Sequence, residues 1–181
     1  MTSSVSKAGG ITNPLTAVGS LMPVSAEFIV PSSVVTYSAN FVVSNNATTT
    51  TLLQLPGLFR VAGSSGYIVA LRVATNLKSI TPRFRLHFFN VSNPTFSGDN
   101  SLYKELYADS SKRCGYWDMP ALNTASDTTN TDCSRSVDVT CRIPVIAAAG
   151  SSDLYVGFET LDAFTRASAQ RITLTAFLDS N

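Results

Sequence analysis

The most constraining feature of this chain is a period of two. Phe84, Leu86 and Phe88 are interleaved with Arg83, Arg85 and His87, and Ile172, Leu174, Ala176 and Leu178 with Arg171, Thr173 and Thr175. Successive side chains of an extended strand point to opposite faces, so such runs make strands with one dry and one wet face. Leu154, Val156 and Phe158 repeat the pattern. Tyr67, Val69, Leu71 and Val73 are expected on one face, opposite Ala70 and Arg72. By the same alternation His87 falls on the polar face of its strand and is expected to be a surface or interface histidine.

Further strands are read at residues 28–37, 40–43, 50–55, 116–119 and 137–146, the last interrupted by Pro144. Turn formers separate them: Gly63-Ser64-Ser65-Gly66, Asn93-Pro94, Ser97-Gly98-Asp99-Asn100 and Gly150-Ser151-Ser152-Asp153. About eight short strands at spacings of roughly 8 to 15 residues predict an all-β fold, a jelly-roll-like antiparallel β-sandwich. Residues 101–111 suit either a short helix or a strand. Residues 123–132, almost wholly Thr, Asn, Ser and Asp, read as an exposed loop because they bring too little apolar area to fold on their own.

Composition agrees with strands, since only 14% of the residues are charged and helical surfaces are usually laced with Glu and Lys. A length of 181 residues suits one domain with its own core. We expect that domain over residues 26–181, after an extended N-terminal arm of residues 1–25 in which Gly9-Gly10, Asn13-Pro14 and Met22-Pro23 interrupt any regular run. The arm either frays or lies as a strap on adjacent protein. Fraying would leave Ile11, Leu15, Val18 and Leu21 in water, which makes them candidate contact residues.

Thirteen basic and twelve acidic residues give a formal charge of +1, with neither sign gathered into a run. The first 35 residues hold a single base, Lys7, so the arm cannot gain affinity by displacing counterions from phosphates, and no nucleic-acid partner is expected. No stretch approaches the roughly 18 to 20 apolar residues of a membrane span, and MTSSVSKAGG lacks an apolar signal core. No membrane partner is expected, and a reducing cytoplasmic setting fits the chain.

Residues suited to catalysis are few. Hydrolysis by a Ser-His-Asp arrangement would have to use His87, the one imidazole in the chain. Asp118, Glu105, Glu159 and Asp162 are candidate carboxylates for glycoside chemistry but form no recognisable pair motif. Gly63-Ser64-Ser65-Gly66 has no following Lys and opens no evident helix, so it reads as a turn between strands rather than a phosphate cradle. Cys114, Cys133 and Cys141 form no CxxC pair and, with one histidine, make no common four-ligand zinc site; a Cys133–Cys141 disulfide is the alternative to three free thiols. No cofactor is expected. Tyr103, Tyr107, Tyr116 and Trp117 fall within fifteen residues and read either as core packing or as anchors of an interface, with Tyr116 and Trp117 the candidate contacts.

Several blocks together resemble the small head-decoration, or capsid cement, proteins of tailed bacteriophages. They are Phe59-Arg60-Val61-Ala62-Gly63-Ser64-Ser65-Gly66-Tyr67-Ile68, Phe84-Arg85-Leu86-His87-Phe88-Phe89, Cys114-Gly115-Tyr116-Trp117-Asp118-Met119-Pro120, Asp153-Leu154-Tyr155-Val156 and Asp162-Ala163-Phe164-Thr165. They come in that family's order and spacing over residues 41–177, while residues 1–40 and the Thr/Asn-rich loop have no counterpart. The resemblance implies a β-sandwich with no active residues, placed on the outer surface of the virion after assembly in the host cytoplasm. Its implied partners are the major capsid protein and further copies of itself, in a homotrimer. The alternative reading is a carbohydrate- or receptor-binding module of a tail fibre, because the same scaffold presents sugar sites on its loops.

Overall fold

The computed structural model describes residues 21–46, 51–77, 81–124, 134–135 and 139–180. In chain order the strands are β1 (Met22–Ile29), β2 (Val35–Tyr37), β3 (Val42–Val43), β4 (Leu53–Leu55), β5 (Ser65–Thr75), β6 (Phe84–Phe89), β7 (Arg113–Asp118), β8 (Asn123–Thr124), β9 (Ser134–Arg135), β10 (Val139–Ile146), β11 (Leu154–Thr160), β12 (Phe164–Arg166) and β13 (Arg171–Ser180). The 101–111 segment, open between helix and strand, holds the start of a 3-10 turn at Tyr107–Lys112.

The strands pair antiparallel in two main sheets. One runs β1-β13-β5, with β10 beside one end of β5 and the small β9-β8 pair beside the other; the second runs β4-β11-β6-β7, with β3 also on β11. With β3 and β4 counted as one position, the principal strands number eight. Their order along the chain is 1-8-3-6 in the first sheet and 2-7-4-5 in the second. The chain thus passes repeatedly from one sheet to the other, as in a jelly roll, and the expected fold class stands.

Alternation sets the core. Ile172, Leu174, Ala176 and Leu178 of β13 meet Phe84, Leu86 and Phe88 of β6 and Leu154, Val156 and Phe158 of β11 in one buried cluster between the sheets. Phe158 packs edge-to-face on Phe28 at 5.2 Å and on Phe84 at 5.8 Å between centroids. Prolines sit on edge strands, Pro23 in β1 and Pro144 in β10, where a missing backbone donor does not cut a central ladder. Pro23 therefore does not stop the strand. β1 begins at Met22, opposite Leu178, so residues 22–25 belong to the sheet and not to the arm.

The face assignment of β5 also changes. Leu71, Val73 and Ile68 are buried, whereas Tyr67 and Val69 are only partly covered. Phe177 pairs with Ala70 but Leu178 with Ile68, so Val69 is an extra residue in the ladder, a bulge that inverts the phase of the alternation on its N-terminal side. The expected 28–37 run is likewise two strands, parted at Pro31, where β2 leaves the main sheets to pair with β12. Asn123 and Thr124, read as the start of a loop, pair with β9.

One end of the sandwich is pinned by charge. The Arg166 guanidinium donates to Asp99 Oδ2 at 2.8 Å and to the Tyr37 hydroxyl at 2.6 Å, and both partners of the ion pair have side chains 2% exposed. Tyr37 and the Ser44 amide in turn donate to Asp99 Oδ1, at 2.7 and 2.8 Å. Burial next to the Asp99 carboxylate pushes the Tyr37 phenol well above its ordinary range. Three segments far apart in sequence are thereby tied together: β2, the loop around Asp99, and β12.

Candidate interaction face

Among the described residues, the outer face of the second sheet brings together a dense group of polar and aromatic side chains. In register across β11, β6 and β7 stand Glu159, Arg85 and Asp118, then Gly157, His87 and Tyr116. The connection from β6 to β7 folds over this face. Phe96 lies directly on Gly157, where a Cβ would collide with its ring, so only glycine leaves room. Tyr103 stacks on His87 at 4.2 Å and donates to Glu105 at 2.7 Å. Val42, Leu52, Phe89 and Phe96 form a second, smaller core beneath the connection. Asp109 holds it down by accepting from the Thr95 amide and from Lys112, each at 2.6 Å, and these donors keep its carboxyl below the usual range.

His87 is therefore not a surface residue; it is 1% exposed. Alternation correctly put it opposite Phe84, Leu86 and Phe88, but nothing in a strand's own period tells whether that side is roofed. Its Nε2 lies 2.8 Å from Glu159 Oε2 and its Nδ1 has no hydrogen-bond partner. Burial pulls the imidazole below its ordinary value more strongly than the Glu159 hydrogen bond and charge raise it.

Tyr116 is the outward anchor of this face. Half exposed at 52%, its ring has the Arg85 and Arg113 guanidinium carbons 5.0 and 5.1 Å from its centroid. Each cation is held by a carboxylate: Arg85 forks onto Asp118 at 2.6 and 2.9 Å, and Arg113 reaches Glu105 at 2.5 Å. The fork keeps the Asp118 carboxyl below its usual range. The result is an exposed aromatic ring fixed by two charge-paired arginines. Further apolar side chains stand in solvent on the covering connection: Leu102, Leu106 and, at 95% exposure, Tyr107.

Trp117, one residue on, points the other way and packs against the main core, as its pairing opposite Leu86 requires. The aromatic cluster thus divides: Trp117 packs inward, Tyr103 roofs His87, and Tyr107 and Tyr116 face solvent. Leu21 is exposed just before β1. Ile11, Leu15 and Val18 lie outside the described residues.

The candidate catalytic groups are engaged elsewhere. Glu105, Asp118, Glu159 and Asp162 sit in contacts with Arg113, Arg85, His87 and Arg83 respectively. The His87–Glu159 pair is sealed under Tyr103. Gly63-Ser64-Ser65-Gly66 is a turn: Gly63 has φ +73°, and the Ser64 hydroxyl donates to the Val61 carbonyl at 2.7 Å. Cys114 and Cys141 are free thiols, both raised by burial, Cys141 to about 11. Cys133 lies outside the described residues. Among the described residues, no three His, Cys, Asp or Glu side chains converge as metal ligands.

Sequence reasoning missed Phe96, Asp99 and Arg166 as organising residues. The glycine at 157, in a strand otherwise built of large side chains, was the one local sign that something approaches that face closely.

No family model and no curated protein matches the chain. Among solved structures, it is similar to a chain in the structure of a marine algae virus of the order Picornavirales, at 9% identity and TM-score 0.29, covering 93% of this chain and 72% of that one. It is similar also to a chain in the structure of black queen cell virus, at 11% identity and TM-score 0.29, covering 99% of this chain and 76% of that one. Likeness at this level assigns the chain to no family.

Proposed function

We propose that this chain is a structural virion protein, a capsid decoration or cement protein that binds the outer surface of a phage head as a homotrimer and stabilises the shell. One observation supports the reading above others. The His87–Glu159 pair is sealed, while Tyr116 stands in solvent on the same face braced by Arg85 and Arg113, and Leu102, Leu106 and Tyr107 are exposed on the connection that covers it. An exposed aromatic ring fixed by its neighbours, as Tyr116 is, is suited to anchoring a protein contact, because little side-chain entropy is lost on binding. The jelly roll is a scaffold used in viral capsid and lectin domains, and the sequence blocks that resemble cement proteins point to the first use. On this reading Tyr116 contacts the major capsid protein, the arm residues Ile11, Leu15, Val18 and Leu21 contact adjacent protein, either capsid or a further copy of this chain, and Trp117 buttresses the strand behind Tyr116.

The proposed action is mechanical: a protein that binds the assembled shell but not its dissociated subunits shifts the equilibrium toward assembly. Particles with and without the protein should release their genome at different temperatures, the decorated ones higher. Equal release temperatures would remove the cement role. With a formal charge of +1, attachment is expected to rest on apolar and backbone contacts and to persist at high salt.

The solvent-exposed ring of Tyr107 favours a second reading, a carbohydrate- or receptor-binding module of a tail fibre, since such rings stack on sugars. Copy number separates the two: hundreds of copies over the shell belong to a cement protein, a few at the tail to a receptor binder.

A further inference from the structure

The two open sides of the sandwich are unlike. On one, β1 lies along β4, the chain enters at Leu21, and a smaller pocket of about 230 Å³ sits between Phe28, Leu53 and Val156. On the other, β10 lies along β7, and there a groove of about 400 Å³ opens between the sheets, lined by Tyr67, Arg113, Cys114, Pro144, Val145 and Ile146. Its apolar rim is open to solvent, Ile146 being 50% exposed. Arg142 stacks on the Tyr67 ring at 4.4 Å, and Arg113 is already paired with Glu105, so the groove calls for no counter-charge.

We propose that this groove receives arm residues 11–18 of a neighbouring copy, with Ile11, Leu15 and Val18 as the inserted side chains. Twenty residues precede Leu21, and that stretch carries one charged side chain, Lys7, so arm and groove match in polarity. Position and reach agree as well. Met22 is level with Leu178, Leu178 with Ile68, and Ile68 with Ile143, so the arm leaves from the same end of the sheet that holds the groove. At about 3.3 Å per residue, Val18 lies up to about 10 Å and Ile11 up to about 33 Å from the arm's root. The root and the groove are on opposite sides of one molecule, about 14 Å apart across three strand spacings. In a closed ring, unlike sides of adjacent copies face each other, which sets the root of one arm beside the groove of the next.

This inference rests on the homotrimer reading, and native Cys114 in the groove supplies its test. In full-length Leu15→Cys protein, diamide oxidation should give disulfide-linked dimers and trimers on non-reducing gels, and these should vanish when Cys114→Ser is added. Light scattering should show at least a tenfold weaker oligomer both for Ile146→Asp and for protein lacking residues 1–20, with circular dichroism unchanged. A disulfide between the introduced thiol and Cys114 of the same chain would overturn the exchange between copies. Absence of the link from oligomers that still form would overturn the groove assignment while leaving the trimer standing. Wild-type protein that stays monomeric at every concentration would overturn both.

Discussion

Replacing Arg166 with methionine should be the most damaging single change at any ion pair among the described residues. Arg166 and Asp99 both have side chains 2% exposed, so removing the cation leaves a carboxylate in the interior with only the Tyr37 hydroxyl and the Ser44 amide to stabilise it. Removing one partner of a buried pair costs about 3–5 kcal/mol, because the remaining charge has lost its water and its counter-ion together. For a chain of this size about 1 kcal/mol moves Tm by roughly 2–4 °C, so Arg166→Met should melt about 6–20 °C below the parent. The control is Arg83→Met. Arg83 also pairs with an aspartate, Asp162, at 2.7 Å, but the two side chains are 53% and 37% exposed. An exposed pair is worth about 0–1 kcal/mol, since water and salt already screen both charges. Urea unfolding at one fixed protein concentration measures both variants and keeps any change in association out of the comparison. If Arg166→Met costs less than about 1 kcal/mol, or no more than Arg83→Met, the idea that this pair pins the end of the sandwich is wrong.

Four further outcomes follow from the same geometry. Because burial lowers the His87 pKa in the folded state, the unfolded chain binds the extra proton first; stability should fall as pH drops below the ordinary histidine value of 6.5, and His87→Gln should flatten that slope in urea titrations between pH 7 and pH 5. Asp118 and Asp162, whose pKa values are lowered by Arg85 and Arg83, act in a separate window: their contribution is present above the unfolded value of 3.8 and is lost as pH falls through the lower folded values. Gly157→Ala should cost about 1–3 kcal/mol by pushing Phe96 off the sheet, and the loss from Phe96→Ala should be smaller when Gly157→Ala is already present; strictly additive losses would contradict the contact. Tyr116→Ala should leave the melting temperature within a few degrees yet weaken particle binding by about 2 kcal/mol, roughly thirtyfold, and unaltered occupancy of heads would remove Tyr116 from the contact.

The sequence by itself determined the class of fold and the dry faces of β6, β11 and β13. Ile172 to Leu178, Phe84 to Phe88 and Leu154 to Phe158 all bury the residues that period two selects, because alternation is a local property of extended backbone. Turn residues bounded them for the same reason, as at Gly63 and Gly150, both with positive φ. What tertiary structure alone decided is everything that depends on a partner distant in sequence. The bulge at Val69 exists only relative to β13, so the faces of Tyr67 and Ile68 could not be read from β5 alone. His87 is buried because a connection nine to sixteen residues further on roofs it with Phe96 and Tyr103, and a strand's period says which side a residue takes but not what covers that side. Asp99 and Arg166 stand 67 positions apart and carry no pattern in common. Each on its own looks like an ordinary surface charge, and only the closing of the sandwich end brings them within 2.8 Å and out of water.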